Sequence, residues 1–420
     1  MSIRAWILVA ATAVGLALAV SPAAAQQPPP SSPQDEGNEP NITYRDASGD
    51  VHVVRFVDWR IEDIRLNAGD HDISSPGWPK ATGTPYGYSS AIDPTKPEEH
   101  VVYRAANGHV IELWKQDYAE TTWHKTDLTS AAGTKARSAG DPLGWSYDTL
   151  GRQWVVYRAT NGHLHGLTWT RAGDHWKDLD LTRAARTRVK ASADPTEFVD
   201  STGATPRAVL VYRGTDRHVH LLAWTVGGAW TAWHDSDVSA LAHWTGKPYG
   251  RPYGWASEPS ATTHAVLNVT VRTVTGHVEQ LFGGHGQAWR RHDLTIASGA
   301  TVRAVSDVQG TVGQDTSFGY AALVQYVGAD KHLYRMVLPA DLTGHPNNRA
   351  LFAASRAGLW FQDGRSGYTS FLVGRHLWVS QDEWDQGVTQ ALDLSAGYGP
   401  PSYPYPAPGT GTGGYFTPEP

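Results

Sequence analysis

The chain has 420 residues, no cysteine and a formal net charge of −6. The absence of cysteine excludes disulfides and thiolate metal sites, so stability must come from packing. With a near-neutral balance and no run of Lys or Arg, the chain lacks the basic surface expected of a nucleic-acid-binding protein, and no nucleic-acid partner is predicted.

The first forty residues have the pattern of a secretion signal and a linker. Arg4 precedes an uncharged apolar run over residues 5–20, and the alanines at 23–25 offer a small-residue cleavage site. This pattern predicts a signal peptide over residues 1–25 and a secreted, extracellular protein. Residues 26–40 are rich in Pro and Gln and offer no apolar side chain to bury, which predicts disorder. No later segment is apolar over the roughly 20 residues that cross a bilayer, so no membrane partner is expected.

From residue 41 onwards, one sequence unit recurs seven times. Clear copies are VVYRAANGHVIEL, VVYRATNGHLHGL, LVYRGTDRHVHLL and TVRTVTGHVEQL. Weaker copies are ITYRDASGDVHVV, VQYVGADKHLYRM and SFLVGRHLWVS. One position, His in six copies, always precedes Val or Leu and aligns the units: Asp50, His109, His163, His218, His277, His332 and His376.

Two more columns lie downstream in the units. An Asp precedes an aliphatic residue at Asp63, Asp127, Asp180, Asp237, Asp293, Asp341 and Asp393. A Trp lies four residues before it at Trp59, Trp123, Trp176, Trp233 and Trp289. The His and Asp columns are interpreted as a hydrogen-bonded network that fixes the geometry of each unit, with repeated ligand contacts as the alternative. Metal binding by these scattered Asp residues is not expected.

The units alternate short β-branched and aromatic runs with Asn-Gly, Asp-Arg or Thr-Gly turns. These turns are typical of tight hairpins. In the third unit, strands are predicted near residues 143–147, 154–158, 163–170 and 176–181. Four-stranded repeats of this length are typical of propeller blades. The sequence therefore predicts an all-β protein in which residues 41–420 form a seven-bladed β-propeller of four-stranded antiparallel blades.

The two ends of the repeat region suggest how the ring closes. The first unit begins at its second strand, so its innermost strand is missing. The C-terminal segment GTGGYFT resembles GTPYGYS, which is the predicted innermost strand of the second unit. We therefore expect the C-terminal strand to complete the first blade, which would remove exposed sheet edges without a disulfide.

Arg and Trp side chains provide candidate ligand contacts. Arg45, Arg104, Arg158, Arg213 and Arg272 end the second strand of five units. Their planar guanidinium groups suit hydroxyls or carboxylates, although they can equally serve the architecture. Trp114, Trp169 and Trp224, with Phe282, lie near the end of the third strand. There they either fill the space between blades or stack on a sugar ring.

At this point the units resemble those of the fucose-binding and tectonin-like propeller lectins. VVYRAANGHVIEL, followed by Trp123, has the same hydrophobic second strand, Asn-Gly turn, Ile-x-Glu third strand and Trp-led fourth strand. The resemblance implies sugar sites between adjacent blades, formed by an Arg, a Glu and an aromatic residue. Glu112 matches the family's Glu. The Arg position holds His100, Trp154 and Val209 in successive units, and the Glu position changes to Gly166, Leu221 and Gln280.

The predicted function is that of a secreted, non-catalytic carbohydrate-binding propeller with sites between blades. Glycans or glycoconjugates are the expected partners, no cofactor or metal is expected, and the oligomeric state stays open. The candidate ligand-binding residues are Arg104, Glu112, Trp114, Trp123, Arg158, Trp169, Trp176, Arg213 and Trp224.

Two alternative functions fit the same sequence. A polysaccharide-active enzyme, a glycosidase or a lyase, could use Asp141 and Asp194, which each precede a Pro, although no catalytic motif is present. A secreted protein-interaction scaffold could use residues 240–263, which are rich in Gly, Pro and aromatic residues.

Overall fold

The computed structural model describes sixteen stretches of the chain, namely residues 41–45, 48–55, 69–93, 95–116, 122–173, 175–200, 205–257, 266–315, 319–329, 332–339, 347–353, 359–362, 368–373, 376–381, 389–393 and 415–416. The predicted signal peptide and linker lie outside these stretches, so both stay predictions. Within the stretches, no helix is long and apolar enough to span a membrane.

The described strands form seven separate antiparallel sheets that follow one another along the chain. Sheet one contains β1 (Asn41–Arg45), β2 (Val51–Arg55) and β3 (Gly69–Asp72). Sheet two contains β4 (Tyr86–Ser90), β5 (Glu98–Arg104), β6 (Val110–Gln116) and β7 (His124–Asp127). Sheet three contains β8 (Leu143–Tyr147), β9 (Arg152–Arg158), β10 (Leu164–Thr170) and β11 (Lys177–Asp180). Sheet four contains β12 (Thr196–Asp200), β13 (Arg207–Arg213), β14 (Val219–Thr225) and β15 (Trp233–Asp237).

The remaining sheets continue the pattern. Sheet five contains β16 (Pro248–Ser257), β17 (Val266–Thr273), β18 (Val278–Gly284) and β19 (Gln287–Asp293). Sheet six contains β20 (Gln309–Asp315), β21 (Gly319–Val327), β22 (His332–Pro339) and β23 (Asn347–Ala353). Sheet seven contains β24 (Leu359–Gln362), β25 (Tyr368–Val373), β26 (His376–Gln381), β27 (Thr389–Asp393) and β28 (Tyr415–Phe416).

Sheets two to five each end in a single helical turn, and the His and Asp columns build it. The helices are α1 (Leu128–Ala131), α2 (Leu181–Ala184), α3 (Val238–Leu241) and α4 (Leu294–Ala297), and a 3-10 helix covers Asp148–Leu150. The column Asp caps each helix: Asp127 Oδ1, for example, accepts the backbone N–H of Ser130 at 3.0 Å. Its other oxygen lies 2.6 Å from Nδ1 of His109. The same pairs recur as His163–Asp180, His218–Asp237 and His277–Asp293. This geometry favours the structural interpretation of both columns.

The same network corrects the alignment of the first unit. In sheet two the backbone N–H of Val110 donates to the hydroxyl of Thr129, two residues after Asp127. In sheet one the N–H of Val51 donates to Ser74 Oγ at 2.8 Å, and His52 pairs with Asp72. Asp72 therefore holds the column position, and the assignment of Asp63 was wrong. Asp63 and Trp59 lie outside the described residues, as does Asp341, which precedes the outer strand of sheet six.

Adjacent sheets pack through their faces, and their first strands lie close together. The second strands β5, β9 and β13 each have five consecutive buried residues. Apolar clusters join neighbouring sheets. One of them contains Tyr88 of sheet two and Val155 of sheet three. First strands of successive sheets contact one another, β4 with β8, β12 with β16 and β16 with β20. Sheets that fan out from adjacent first strands form a propeller-type fold, so the all-β prediction is confirmed.

The C-terminal strand does not take the predicted position. Tyr415 pairs with Gln390 and Phe416 with Thr389, which extends the outer edge of sheet seven. In the described part of sheet one, β1 forms an edge, and no strand of the C-terminal segment pairs with it. The similarity between GTGGYFT and GTPYGYS rests on Gly and aromatic residues. Such a short, Gly-rich strand specifies its partner only weakly.

Candidate functional site

A glycine in the first strand allows consecutive sheets to approach. A Cβ on Gly144 would lie 2.5 Å from the ring of Tyr88 in the preceding sheet, which is closer than real Cβ contacts allow. Glycine at this position therefore lets the ring pack directly on the backbone. The pairs of this kind are Tyr88 on Gly144, Phe198 on Gly254 and Trp255 on Gly310.

Sheet four breaks this pattern because Glu197 holds the glycine position. Trp145 of β8 corresponds to Tyr88, and the position that Gly144 holds in the sheet after Tyr88 is held by Glu197 in the sheet after Trp145. The first strands β8 and β12 make no contact comparable to that of the other first-strand pairs. Aromatic side chains fill the gap between the two sheets. We call these residues the aromatic wedge, which consists of Trp145, Tyr147, Trp154, Trp224 and Trp233.

Trp154 lies at the centre of the aromatic wedge. Its ring centroid is 6.1 Å from that of Trp145, 5.8 Å from that of Trp224 and 5.7 Å from that of Trp233. The four indoles are at most 2% exposed. Tyr147 is half-buried, 5.8 Å from Trp224. Rings at these separations pack favourably, so the wedge joins sheets three and four in place of backbone contact.

Two substitutions relative to the lectin pattern explain how the Trp154 ring fits into its sheet. Trp154 stands where the resemblance places an Arg, and Gly166 stands where it places a Glu. A Cβ on Gly166 would lie 2.9 Å from the ring of Trp154. The large indole therefore needs the glycine opposite it. The two departures from the lectin pattern are one coupled change that replaces a charged pair by an aromatic surface.

Several polar atoms around the aromatic wedge are buried and lack a hydrogen-bond partner among the described residues. Buried polar atoms are nearly always hydrogen-bonded, so an unpaired set in one place indicates a site for a polar ligand or for water. Arg152 lies beside the indoles, with its guanidinium carbon 5.7 Å from the centre of the Trp224 ring. The unpaired atoms are Trp145 Nε1, Trp154 Nε1, Tyr147 Oη, Arg152 Nε and Glu197 Oε2.

Glu197 contributes a carboxyl group whose protonation is finely balanced. Its Oε1 accepts a hydrogen bond from the hydroxyl of Tyr86 at 2.9 Å. Burial raises the pKa of Glu197 to about 7, against the opposing effect of the Tyr86 hydrogen bond. Near neutral pH the unpaired Oε2 can therefore accept a hydrogen bond or, when protonated, donate one.

The gap between sheets two and three has the opposite character, because its polar groups satisfy one another. Glu112 Oε1 accepts the Tyr88 hydroxyl at 2.7 Å and lies 3.1 Å from His100 Nδ1. The other ring nitrogen of His100 lies 3.2 Å from Gln153 Nε2. Glu112, which matches the lectin Glu, is 3% exposed, and Tyr88 and His100 already take up its carboxylate oxygen.

This closed network predicts a pH-dependent stability. Burial alone would lower the pKa of His100, but Glu112 and Glu98 outweigh it and raise the pKa to about 9. A raised His pKa stabilises the fold below the unfolded value of about 6.5, and this contribution is lost as the pH rises through 9. We expect the melting temperature of the protein to exceed that of His100→Gln at pH 6 and this difference to disappear above pH 9.5. A difference that is constant with pH would contradict the charged state of His100.

The gap between sheets five and six shares one feature with each of the two gaps described above. Trp255 packs on Gly310 and has an unpaired Nε1. Gln280 Nε2 donates to Asn268 Oδ1 at 2.9 Å, while Gln280 Oε1 and Thr270 Oγ1 are buried and have no hydrogen-bond partner within the described part of the chain. This gap is a smaller second candidate, with one indole and amide groups in place of charged ones.

The Arg column lies near the start of the first strands, and several of its members have protein partners. Arg158 Nε donates to Asp194 Oδ1 at 2.9 Å. Arg213 Nε donates to Ser192 Oγ at 2.9 Å, and its guanidinium lies over the ring of Tyr249. Arg104 is half-buried, and its Nε has no hydrogen-bond partner. The structure does not bring these three side chains to the aromatic wedge.

The candidate Trp residues near the end of the third strand divide between two faces. Trp114 pairs with His100, whereas Trp169 pairs with Gln153, one position earlier in the second strand. A shift of one residue turns a side chain to the opposite face. Trp224 belongs to the aromatic wedge. Of the fourth-strand Trp residues, Trp123 packs between sheets one and two and Trp176 between sheets two and three.

The proposed acid pair of the enzyme alternative forms part of the architecture. Asp194 accepts the backbone N–H of Asp141 at 3.0 Å and also pairs with Arg158 and Arg251. Burial would raise the pKa of Asp194, but Arg251 and Arg158 hold it below its usual value. An aspartate kept ionised in this way is unsuited to act as a general acid at neutral pH.

The proposed contact segment, residues 240–263, is mostly regular structure. It contains the end of α3 and the first strand of sheet five, β16, which has a bulge between Tyr249 and Tyr253. Residues 258–263 lie outside the described part of the chain. The described residues of this segment therefore build a sheet.

Comparison with known proteins supports the fold. No family model matches the sequence, and no curated protein is similar to it. The BP39L lectin from Burkholderia pseudomallei superposes with a TM-score of 0.55 at 12% identity, over 87% of this chain and 95% of the lectin. The chain shares its fold with this bacterial lectin. AofleA from Arthrobotrys oligospora gives a TM-score of 0.46 at 12% identity, over 77% of this chain and 86% of AofleA.

An Aleuria aurantia lectin variant in complex with alpha-methyl-L-fucoside gives a TM-score of 0.45 at 14% identity, over 79% of this chain and 96% of that lectin. The superposition on the BP39L lectin confirms the predicted resemblance to propeller lectins for the fold. The site residues are a separate matter, because the sequence analysis did not identify Trp145, Tyr147, Arg152 or Glu197. The signal that could have revealed them is the repeated first-strand glycine, which sheet four replaces by Glu197.

Proposed function

We propose that the protein is a non-catalytic, lectin-like propeller whose principal glycan site is the aromatic wedge with Arg152 and Glu197. The observation that carries this proposal is the set of unpaired buried polar atoms beside four indole rings. Each buried unpaired group costs roughly 1–3 kcal/mol, and hydroxyl groups of a ligand would offset that cost.

The chemistry of the wedge suits a sugar. Sugar rings present apolar C–H groups that can pack on an indole face, and their hydroxyls both donate and accept hydrogen bonds. Two indole N–H groups and the Arg152 Nε–H can donate, while Glu197 and the Tyr147 hydroxyl can accept. The indoles are closed to solvent, so a sugar would reach them by displacing the half-buried side chains of Tyr147, Arg152 and Glu197.

A second, weaker site between sheets five and six would make the protein multivalent. Trp255 and Gln280 there repeat the combination of an indole with unpaired polar atoms. Two sites on one rigid body raise the avidity for a surface that displays many glycans without strengthening either site. Binding to immobilised glycans should then exceed binding to the same free oligosaccharide.

A glycan array probed with the folded protein tests the proposal, followed by calorimetric titration of the best glycan. We expect Glu197→Gly, which restores the glycine of the other sheets, to weaken binding by at least about tenfold, because it removes a polar contact and lets the gap close. The matched control is Glu112→Gln in the satisfied gap, for which binding should stay within about twofold.

Each outcome of this experiment has a distinct meaning. If the folded protein binds no glycan, the proposed function is wrong. If Glu112→Gln loses binding and Glu197→Gly does not, glycans bind at the position matched by the lectin family, and the aromatic wedge is not the site. Release of reducing sugar from a bound polysaccharide would contradict the non-catalytic part of the proposal.

We also propose that the seven sheets close one ring and that the mature protein is extracellular. Tandem units, first strands in mutual contact and the pattern of residues 1–25 support these two points. The N-terminal sequence of the protein recovered from culture medium should begin at Gln26. A crystal structure with a different number of sheets around the axis would contradict the seven-bladed ring.

A further inference from the structure

A cluster of carboxylate and imidazole groups lies at one end of sheet four. Asp216 lies in the turn between β13 and β14, His220 in β14, and Asp237 at the end of β15. One ligand atom from each of the three residues lies within 4.8 Å of the other two. His220 Nε2 is 3.1 Å from Asp216 Oδ2, and the His220 side chain is 2% exposed.

The ring of His220 is held in one orientation by groups behind it. Its Nδ1 lies 3.3 Å from Asp235 Oδ2, and the hydroxyl of Tyr212 donates to Asp235 Oδ1 at 2.8 Å. The Tyr212 and His220 rings stack at 5.1 Å. A metal-binding histidine usually donates its other ring N–H to a carboxylate, which fixes the orientation of the ring and leaves Nε2 free for the metal.

Both ring nitrogens of His220 therefore face carboxylate oxygens. When Nδ1–H donates to Asp235, the lone pair of Nε2 points towards Asp216 and the two repel each other. A second proton or a metal cation between them removes this repulsion. The site thus favours a positive charge.

Sheet four is the only one of sheets two to five with this combination of residues, which makes the other sheets natural controls. In sheet three, His165 pairs with Asp178 in the same way, but Asn161 replaces Asp216, and His165 Nε2 has no hydrogen-bond partner. In sheet five the corresponding pair is Glu279 with Arg291, joined by two hydrogen bonds at 2.8 and 2.7 Å. The cluster is therefore not a requirement of the fold.

We propose that sheet four binds a divalent transition-metal ion of the Zn²⁺ class through Asp216, His220 Nε2 and Asp237. The 3.1 Å between His220 and Asp216 is close to the roughly 3.3 Å between neighbouring donors around a tetrahedral zinc with bonds of about 2.0 Å. Asp237 also caps α3: its Oδ1 accepts the backbone N–H of Ala240 at 2.9 Å, and its Oδ2 lies 2.6 Å from His218 Nδ1. These contacts orient the carboxylate, which would bind the ion through a remaining lone pair. Asp216 is exposed and gives the ion its route from solvent.

This site is separate from the proposed glycan site. His220 of the cluster lies near the start of β14, while Trp224 of the aromatic wedge lies near its end, four residues further along the strand. At about 3.4 Å per residue this is roughly 14 Å. Metal binding can therefore be measured without any glycan and does not depend on the proposed function.

Calorimetric titration of the full-length protein with ZnCl₂ at pH 7.5 tests the proposal. We expect one saturable site and a higher melting temperature with zinc. Asp216→Asn, which introduces the residue type of sheet three, should weaken zinc binding by at least about tenfold, as should His220→Gln. Asp216 is exposed and Asn occupies its position in sheets two and three, so the variant is expected to fold. The matched control is His165→Gln, which should bind zinc like the wild type.

Absence of saturable zinc binding, or equal binding by Asp216→Asn, would overturn the proposal and leave His220 as a doubly protonated ion-pair partner.

Discussion

Replacement of Asp194 by alanine is expected to lower the free energy of unfolding by about 3–5 kcal/mol, because it removes the carboxylate that pairs directly with the partly buried Arg251. Asp194 lies 2.9 Å from Arg158 Nε and 3.2 Å from Arg251 Nη2, and it also accepts the Asp141 N–H. The loss would thus affect sheets three, four and five together. Urea denaturation followed by circular dichroism measures it.

A double-mutant cycle provides the control for this prediction. Removal of Arg251 as well as Asp194 takes away the uncompensated charge, so the double variant should be less destabilised than the sum of the single changes. Coupled charges of this kind usually differ from additivity by about 0.5–3 kcal/mol. Additive effects would show that the ion pair makes no specific contribution.

Trp154→Ala is the second change with a large expected effect, a loss of about 3–5 kcal/mol in unfolding free energy. The indole is fully buried and contacts Trp145, Trp224 and Trp233. Its removal opens a cavity that the surrounding rings can fill only in part. Because β8 and β12 make little direct contact, sheets three and four would lose much of what joins them.

Trp169→Ala is the matched control, since Trp169 lies in the same sheet but is half-buried and faces the other side. We expect it to cost clearly less than Trp154→Ala under the same denaturation conditions. If both variants lose the same free energy, or if Trp154→Ala loses under about 1 kcal/mol, the aromatic wedge does not hold the sheets together.

Much of the fold could be predicted because each unit carries its own structural signals. The turn residues and the His column determine where hairpins form, and the Asp column marks the end of the fourth strand in sheets two to five. These signals act over short distances in the sequence. The assignment of Asp63 to the Asp column was wrong because a matching Trp-x-x-x-Asp spacing occurs before the true outer strand. Only the tertiary hydrogen bond from Val51 to Ser74 identifies Asp72 as the equivalent residue.

The site was harder to predict because it depends on which face each residue occupies and on what the next sheet places opposite. Trp169 and Trp224 differ from Trp114 by one position relative to the His column, which turns them to the other face. Glu197 has no unusual local sequence, and its effect comes from the glycine that it replaces in the first strand. The resemblance to the lectins made Glu112 a candidate sugar contact, but its carboxylate already bonds with Tyr88 and His100.

The two proposals assign different roles to the sheets of one repeat protein. Sheets that keep the glycine and the satisfied polar network serve the architecture. Sheet four, which changes several of these positions, takes part in both the glycan site and the metal site. Function in this chain is therefore expected where the repeat is broken, which is a general property of repeated folds whose common residues serve packing.

A crystal structure of the protein with the glycan selected by the array tests the central claim most directly. We predict a sugar ring between sheets three and four, within about 4 Å of Trp154 or Trp224, with its hydroxyls bonded to Glu197 and Arg152. A sugar bound instead against Glu112 between sheets two and three, with the aromatic wedge unchanged, would contradict the account.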